Sequence, residues 1–184
     1  MSTTTTPSLR FVPNARDKSW GPEWVPLDAF REPTVIEELP QSAFIWDNFK
    51  VDVSLRIGNG DFSDAATSVC ALDFVLMLHT ARVTLREGKH AVLELSDRQD
   101  EWHFTRDSEL IGLRTRYATR EGWHFRPAEG HCPTGEFNSL VEQALEDSLA
   151  LIFSRQPVTR RNPYLQALAN RGFDADWARP SPLA

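Results

Sequence analysis

The chain has 184 residues, of which 41% are hydrophobic and 25% charged, and its formal net charge is −6. These values are typical of one globular domain with tails, and the negative charge argues against binding of nucleic acid over the whole surface. Cys70 and Cys132 form neither a disulfide framework nor a paired metal clip, so we expect a cytoplasmic protein. We also expect no metal and no cofactor. No secretory signal or membrane-spanning run is predicted, because the apolar stretches are too short.

Residues 1–42 are predicted to form an extended N-terminal arm whose first, Thr-rich residues are disordered. Prolines recur too densely in it for long helices or central strands. The interleaved aromatic residues indicate that the arm docks, either on its own domain or on a partner. We expect three of them to make the contacts: Trp20, Trp24 and Phe30.

The remaining chain divides into a single domain over residues 43–155 and a C-terminal extension over residues 156–184. Alternation of apolar and polar residues predicts strands, and apolar residues at intervals of three and four predict helices. The predicted elements, in chain order, are a strand over 43–57, a helix over 68–87, a four-strand meander over 90–127, a helix over 135–154 and a short helix over 163–171.

This order predicts an α+β fold. We expect about five strands in one mostly antiparallel sheet, because short loops make successive strands pair. The sequence of elements is strand–helix–four-strand meander–helix, and both helices should pack on one face of the sheet.

A tripeptide occurs twice in the meander, as Trp102-His103-Phe104 and as Trp123-His124-Phe125. Side chains alternate across a strand, so in each copy the two aromatic residues lie opposite the histidine. We predict that the aromatic residues of both copies face the core and that both histidines lie on the outer face of the sheet.

This outer face is predicted to be cationic, and a solvated or arm-covered face is its simplest interpretation. A second interpretation is a binding face for an acidic protein, or for nucleic acid through this local basic region alone, formed by Arg56, His103, Arg114, Arg116, His124 and Arg126. A third is metal-independent RNA cleavage, which requires a general base, a general acid and a cation for the phosphorane. The residues that would supply them are Glu94, His103, Arg114 and His124. A zinc site at the two histidines is weaker, since they would lie two strands apart without further ligands.

Two other positions have both a chemical and a structural interpretation. Asp73 lies in an apolar helix, where a carboxylate either is catalytic or, as we favour, occupies the first turn and is stabilised by the helix dipole. His131-Cys132 precedes a helix like the start of a cysteine phosphatase signature. Asn138 occupies the position of the phosphate-binding Arg, so we reject that activity.

The layout resembles that of small uncharacterised bacterial proteins, several of which are immunity or antitoxin partners. The residues that carry the resemblance are Asn48-Phe49 in the first strand, the apolar helix from Val69 to Leu85, and the two Trp-His-Phe strands. It covers residues 43–155 and implies a non-enzymatic α+β protein that acts through a protein–protein interface.

Overall fold

A computed structural model describes residues 6–28 and 30–175. The described chain folds into two four-stranded antiparallel sheets and three α-helices, which confirms the predicted α+β class. The predicted disorder of the first residues lies outside the described ranges, as does the tail after residue 175.

The elements begin and end at the following residues. The strands are β1 (Ser8–Pro13), β2 (Lys50–Ile57), β3 (Gly60–Asp61), β4 (Val69–Cys70), β5 (His90–Glu94), β6 (Glu101–Asp107), β7 (Leu110–Thr119) and β8 (Gly122–Pro133). The α-helices are α1 (Ala71–Glu87), α2 (Thr134–Arg155) and α3 (Pro163–Arg171). Short 3-10 helices occupy Lys18–Trp20, Ile36–Glu38, Ser63–Ala66, Pro157–Arg161 and Gly172–Asp174, and a π-helix occupies Ala43–Asp47.

The first sheet contains β1, β2, β3 and β4, with β2 at its centre. The alternation that predicts β2 is confirmed, because its apolar members are all buried: Val51, Val53, Leu55 and Ile57. The expectation of one five-stranded sheet is wrong. β2 pairs along its length with β1, which comes from the predicted arm, and not with the meander.

The second sheet is the predicted meander, in the order β5-β6-β7-β8. It meets the first sheet where β8 passes β2 and β3. Gly130 lies so close to Ile57 that a Cβ atom added to Gly130 would stand 1.9 Å from the Ile57 carbonyl oxygen. Glycine is needed at Gly130 because two backbones approach each other without room for a side chain. The same junction requires Gly60, whose added Cβ would lie 2.8 Å from the Glu129 oxygen.

The arm and the C-terminal extension complete the core. The rings of Trp20 and Trp24 each lie 5.0 Å from the ring of Phe49 in edge-on contact. Ile36 and Leu39 are buried, and their carbonyl oxygens accept hydrogen bonds from the Asn162 side-chain amide at 2.7 and 3.0 Å. Buried backbone oxygens need such partners, so the two flanking segments depend on each other.

His79 on α1 packs flat against Phe173 of the C-terminal extension, with 4.0 Å between ring centroids. Its Nδ1 atom lies 2.8 Å from a guanidinium nitrogen of Arg82, a contact in which a neutral imidazole accepts the hydrogen bond. Burial, followed by the Arg82 charge, lowers the pKa of His79 to about 4, while Glu142 acts in the opposite direction. The folded protein therefore holds His79 neutral.

We expect His79 to make the free energy of unfolding decrease as the pH is lowered. An unfolded chain binds a proton on His79 near its ordinary pKa of about 6.5, whereas the folded chain resists until about pH 4. Stability is therefore full above pH 6.5 and lost as pH falls towards 4, by roughly 1 kcal/mol between pH 7 and 5 after allowance for partial exposure. Urea unfolding of the wild type and His79→Gln at both pH values measures this difference. Equal pH dependence in the two proteins would contradict it.

Candidate functional site

The hydrogen-bonded register of β5, β6, β7 and β8 defines the face of the second sheet that lies opposite the core. Residues directly opposite each other in antiparallel strands share a face. We call this set the outer face. Its rows are Glu94–Glu101–Arg116–Phe125, Val92–His103–Arg114–Glu129 and His90–Thr105–Gly112–His131, with Trp123 opposite Ala118 beyond them.

The two Trp-His-Phe copies lie in opposite orientations. In the first copy Trp102 and Phe104 are fully buried, as predicted. In the second copy the prediction is wrong: Trp123 and Phe125 are on the outer face and are 43% and 44% exposed. His124 accordingly lies on the other face of the sheet, opposite Tyr117.

The reason for this inversion is the length of the two turns. Asp107 pairs with Leu110, and Thr119 pairs with Gly122, so each turn contains two residues. With two such turns, the even-numbered residues of β6 share a face with the even-numbered residues of β8, and the odd-numbered residues share the other face. The two tryptophans are 21 residues apart, an odd number, so they lie on opposite faces.

On the outer face, arginine and aromatic side chains alternate in a stack. The Arg116 guanidinium lies 4.7 Å from the Trp123 ring centroid, and the Arg114 guanidinium lies 4.3 Å from that of Phe125. The His103 ring meets Phe125 edge-on at 5.3 Å. Contacts of this kind orient both partners, because the cation is attracted to the face of the ring.

Glu101 fixes the base of this stack. One of its carboxylate oxygens accepts a hydrogen bond from Nε of Arg116 at 2.6 Å and lies 2.7 Å from Nε2 of His103. The hydrogen bond from Arg116 holds the pKa of Glu101 below its ordinary value, so the carboxylate stays ionised. We refer to the six residues together as the cation–aromatic cluster: Glu101, His103, Arg114, Arg116, Trp123 and Phe125.

The outer face does not carry the excess of positive charge that its sequence suggests. Arg116 is paired with Glu101, and Arg114 lies 3.8 Å from Glu129. Each guanidinium therefore has both a carboxylate and an aromatic ring as neighbours. What distinguishes the face is its exposed apolar surface, formed by Trp123, Phe125 and the 54% exposed Val92.

The contacts of the arm lie elsewhere. Trp20 donates a hydrogen bond through Nε1 to the Lys50 carbonyl oxygen at 2.6 Å, and Trp24 donates one to the Asn48 side chain at 3.1 Å. Both tryptophans thus dock on the first sheet and its preceding turn. Phe30, the third predicted contact residue, is 85% exposed, so its ring packs on no part of the described chain to any large extent.

Of the six residues predicted as a binding face, three share the cation–aromatic cluster, namely His103, Arg114 and Arg116. The placement of the other three on that face is wrong. Arg56 is in the first sheet and pairs with Asp61 at 3.2 Å. His124 and Arg126 lie on the far side of the meander, where Arg126 bonds Asp100 at 3.0 Å and covers the Tyr117 ring.

The predicted catalytic set is likewise divided. Glu94, His103 and Arg114 lie on the outer face, but His124 does not, so the four side chains do not converge. A zinc site between His103 and His124 is excluded for the same reason. The sequence prediction assigned no functional role to Glu101, Trp123 or Phe125. The spacing of 21 residues between the two copies indicates that Trp123 and Phe125 lie on the outer face, but only when the turn lengths are known.

The other two candidates have structural explanations. Asp73 is buried in the first turn of α1 and accepts hydrogen bonds from the Ser96 amide at 2.7 Å and the Ser96 hydroxyl at 2.8 Å. It thereby anchors the turn after β5. Cys132 is buried in β8, and burial raises the pKa of its thiol to about 12, so it supplies no thiolate at neutral pH.

Residues 6–28 and 30–175 contain no group of three or more His, Cys, Asp or Glu side chains that could hold a metal ion. In the same ranges, no helix is both long enough and apolar enough to cross a membrane. Comparison with known proteins finds no matching family model, no matching curated protein and no matching solved structure.

Proposed function

We propose that this chain is a non-enzymatic protein-binding module and that the cation–aromatic cluster is its contact surface. The observation that carries the proposal is the pair of half-exposed rings, Trp123 and Phe125, each of which contacts an arginine on the outer face. Tryptophan and arginine are the residues most often found to dominate the energy of protein interfaces.

The arrangement also suits binding energetically. Arg116 is fixed by Glu101 and by the Trp123 ring before any partner arrives, so less side-chain freedom is lost on association. Both arginines are neutralised by carboxylates, which favours a protein surface over the phosphates of nucleic acid. An apolar pocket that accepts the indole ring, with polar groups around it, is the complementary partner surface.

The nature of the partner follows from the layout and the charge. The order of elements predicted from the sequence resembles that of small bacterial proteins, several of which are immunity or antitoxin partners. A net charge of −6 attracts a basic partner over long range. We therefore infer an immunity- or antitoxin-like role against a basic protein. Two free and buried cysteines, Cys70 and Cys132, are compatible with action in the cytoplasm.

The matched test compares two exposed tryptophans. Trp123 is 43% exposed in the cluster, and Trp46 is 45% exposed in the π-helix far from it in sequence. A partner captured from the native host should bind wild type and Trp46→Ala alike. It should bind Trp123→Ala at least about 30-fold more weakly, as expected when a central interface residue is truncated. Titration calorimetry with the purified partner measures this ratio.

A partner that binds Trp123→Ala as tightly as the wild type would refute the assignment of the surface. Equal weakening by Trp46→Ala and Trp123→Ala would indicate a general loss of structure, which circular dichroism of both variants checks. Failure to obtain any stoichiometric partner under conditions that preserve weak complexes counts against the binding function itself.

The second candidate function is metal-independent RNA cleavage, and the contact between Glu101 and His103 is the observation that favours it. A carboxylate 2.7 Å from an imidazole can hold the ring in a fixed orientation, as general base catalysis requires. Arg114 lies beside His103 and Glu94 lies beside Glu101 in the outer face. Incubation of the same purified proteins with RNA separates the candidates, because an enzyme would cut RNA without metal and lose this activity in His103→Ala.

A further inference from the structure

The second sheet has two edges, and they differ in how they are protected. The β8 edge contacts β3 near Gly130 and carries a bulge in which residues 126–128 lie opposite Thr115. Pro127 lies within that bulge and lacks a backbone donor. Bulges and prolines are common means of preventing an edge strand from pairing with another chain. The β5 edge has neither, since His90–Glu94 pairs with β6 in an uninterrupted register.

The backbone of β5 also shows which groups point outward. The Lys89 carbonyl oxygen accepts a hydrogen bond from the Arg106 amide at 2.8 Å, so the backbone groups of Lys89 point towards β6. Bonding direction alternates along an antiparallel strand, so the amide and carbonyl groups of His90 and Val92 point away from β6. Within residues 6–28 and 30–175 these groups have no hydrogen-bond partner.

We propose that β5 pairs antiparallel with β5 of a second copy of this chain, about a two-fold axis at Val92. In this register Val92 lies opposite Val92 of the second copy, and the two residues exchange both backbone hydrogen bonds. His90 lies opposite Glu94 of the second copy, and Ala91 lies opposite Leu93. The contact is isologous, as in most homodimers, and joins the two meanders into one continuous sheet.

The side chains of β5 are complementary to themselves in this register. The most exposed apolar side chain of the second sheet, Val92 at 54%, meets its own copy and leaves water. At each end of the paired strands, His90 of one copy lies opposite Glu94 of the other. The Glu94 carboxylate can make this contact in addition to its contacts within its own chain. On the inner face the half-buried Leu93 meets the small Ala91.

The dimer does not rest on the function proposed above. In the sheet order β5-β6-β7-β8, the cluster residues Trp123 and Phe125 lie at the end opposite to β5. Pairing through β5 therefore leaves the cation–aromatic cluster of each copy open. It would present two binding surfaces on one assembly, which raises the avidity for a partner with repeated sites.

Analytical ultracentrifugation of the full chain tests the proposal. We expect a reversible dimer with a micromolar dissociation constant, typical of a small interface. Val92→Lys should weaken it at least about tenfold, because like charges opposite each other repel. Val35→Lys is the matched control, since Val35 is also 54% exposed but lies in the arm, and it should leave the dissociation constant unchanged.

A second experiment fixes the register. Opposed residues in a hydrogen-bonded antiparallel pair have Cα atoms about 5.5 Å apart, which a disulfide can bridge. Val92→Cys should form a covalent dimer on mild oxidation, and Val35→Cys should not. Cys70 and Cys132 are buried and do not compete. The proposal would be overturned if the wild type remained monomeric at about 100 μM. It would also be overturned if Val92→Lys left the dissociation constant of the dimer unchanged.

Discussion

Trp102→Ala should lower the free energy of unfolding by about 3–5 kcal/mol, whereas Trp123→Ala should lower it by less than about 1 kcal/mol. Both residues begin the same tripeptide. Trp102 is fully buried and packs edge-on against Phe74 on α1, with 5.4 Å between centroids, so its removal leaves a cavity between sheet and helix. Trp123 is 43% exposed and loses mainly its contact with Arg116.

Chemical unfolding of the two variants, followed by circular dichroism and tryptophan fluorescence, measures this difference. Phe104→Ala and Phe125→Ala provide an independent pair, because Phe104 is buried and Phe125 is 44% exposed. Similar losses for Trp102→Ala and Trp123→Ala would mean that the second copy faces the core, as the sequence alone suggests, and that the outer face lacks its aromatic residues.

Gly130→Ala is expected to destabilise the fold by at least about 3 kcal/mol. The added Cβ would stand 1.9 Å from the Ile57 carbonyl oxygen, and this neighbour is backbone of the central strand β2, which cannot rotate away. The two sheets would have to separate at their junction. The consequence should be loss of soluble protein or a large fall in the midpoint of thermal unfolding.

Gly135→Ala is the matched control, because it makes the same chemical change five residues later. A Cβ at Gly135 meets no heavy atom within 4 Å, and the residue lies in the first turn of α2. Alanine favours a helix over glycine by up to about 1 kcal/mol, so this variant should be as stable as the wild type or slightly more stable. A Gly130→Ala protein with wild-type stability would show that the two backbones do not approach so closely.

The elements with clear periodicity are predictable from the sequence because each depends on local pattern. The alternation over 51–57 gives β2, and the apolar spacing over 135–154 gives α2, observed as Thr134–Arg155. Asn162 predicts the start of α3, because its side-chain oxygen accepts hydrogen bonds from the backbone amides of Tyr164 and Leu165. α1 begins at Ala71 and not at 68, because Val69–Cys70 pairs with β2.

The division into two sheets is not predictable in this way. A proline-rich arm has little strand propensity, yet β1 extends along β2 from Ser8 to Pro13 because β2 offers an edge with an apolar face. Pro13 is tolerated at the end of β1, where no ladder bond is lost. The same long-range contacts place Trp20 and Trp24 on Phe49. These residues are too far apart along the chain for a local sequence pattern to predict the contact.

For the candidate site, the sequence alone determines which chemical groups the meander carries: histidines, arginines and a doubled pair of aromatic residues. Only the tertiary structure decides which of them share a face. A change of one residue in a turn moves every following side chain to the opposite side of the sheet. Two tight turns therefore bury Trp102, expose Trp123 beside Arg116, and place His103 and His124 on opposite faces.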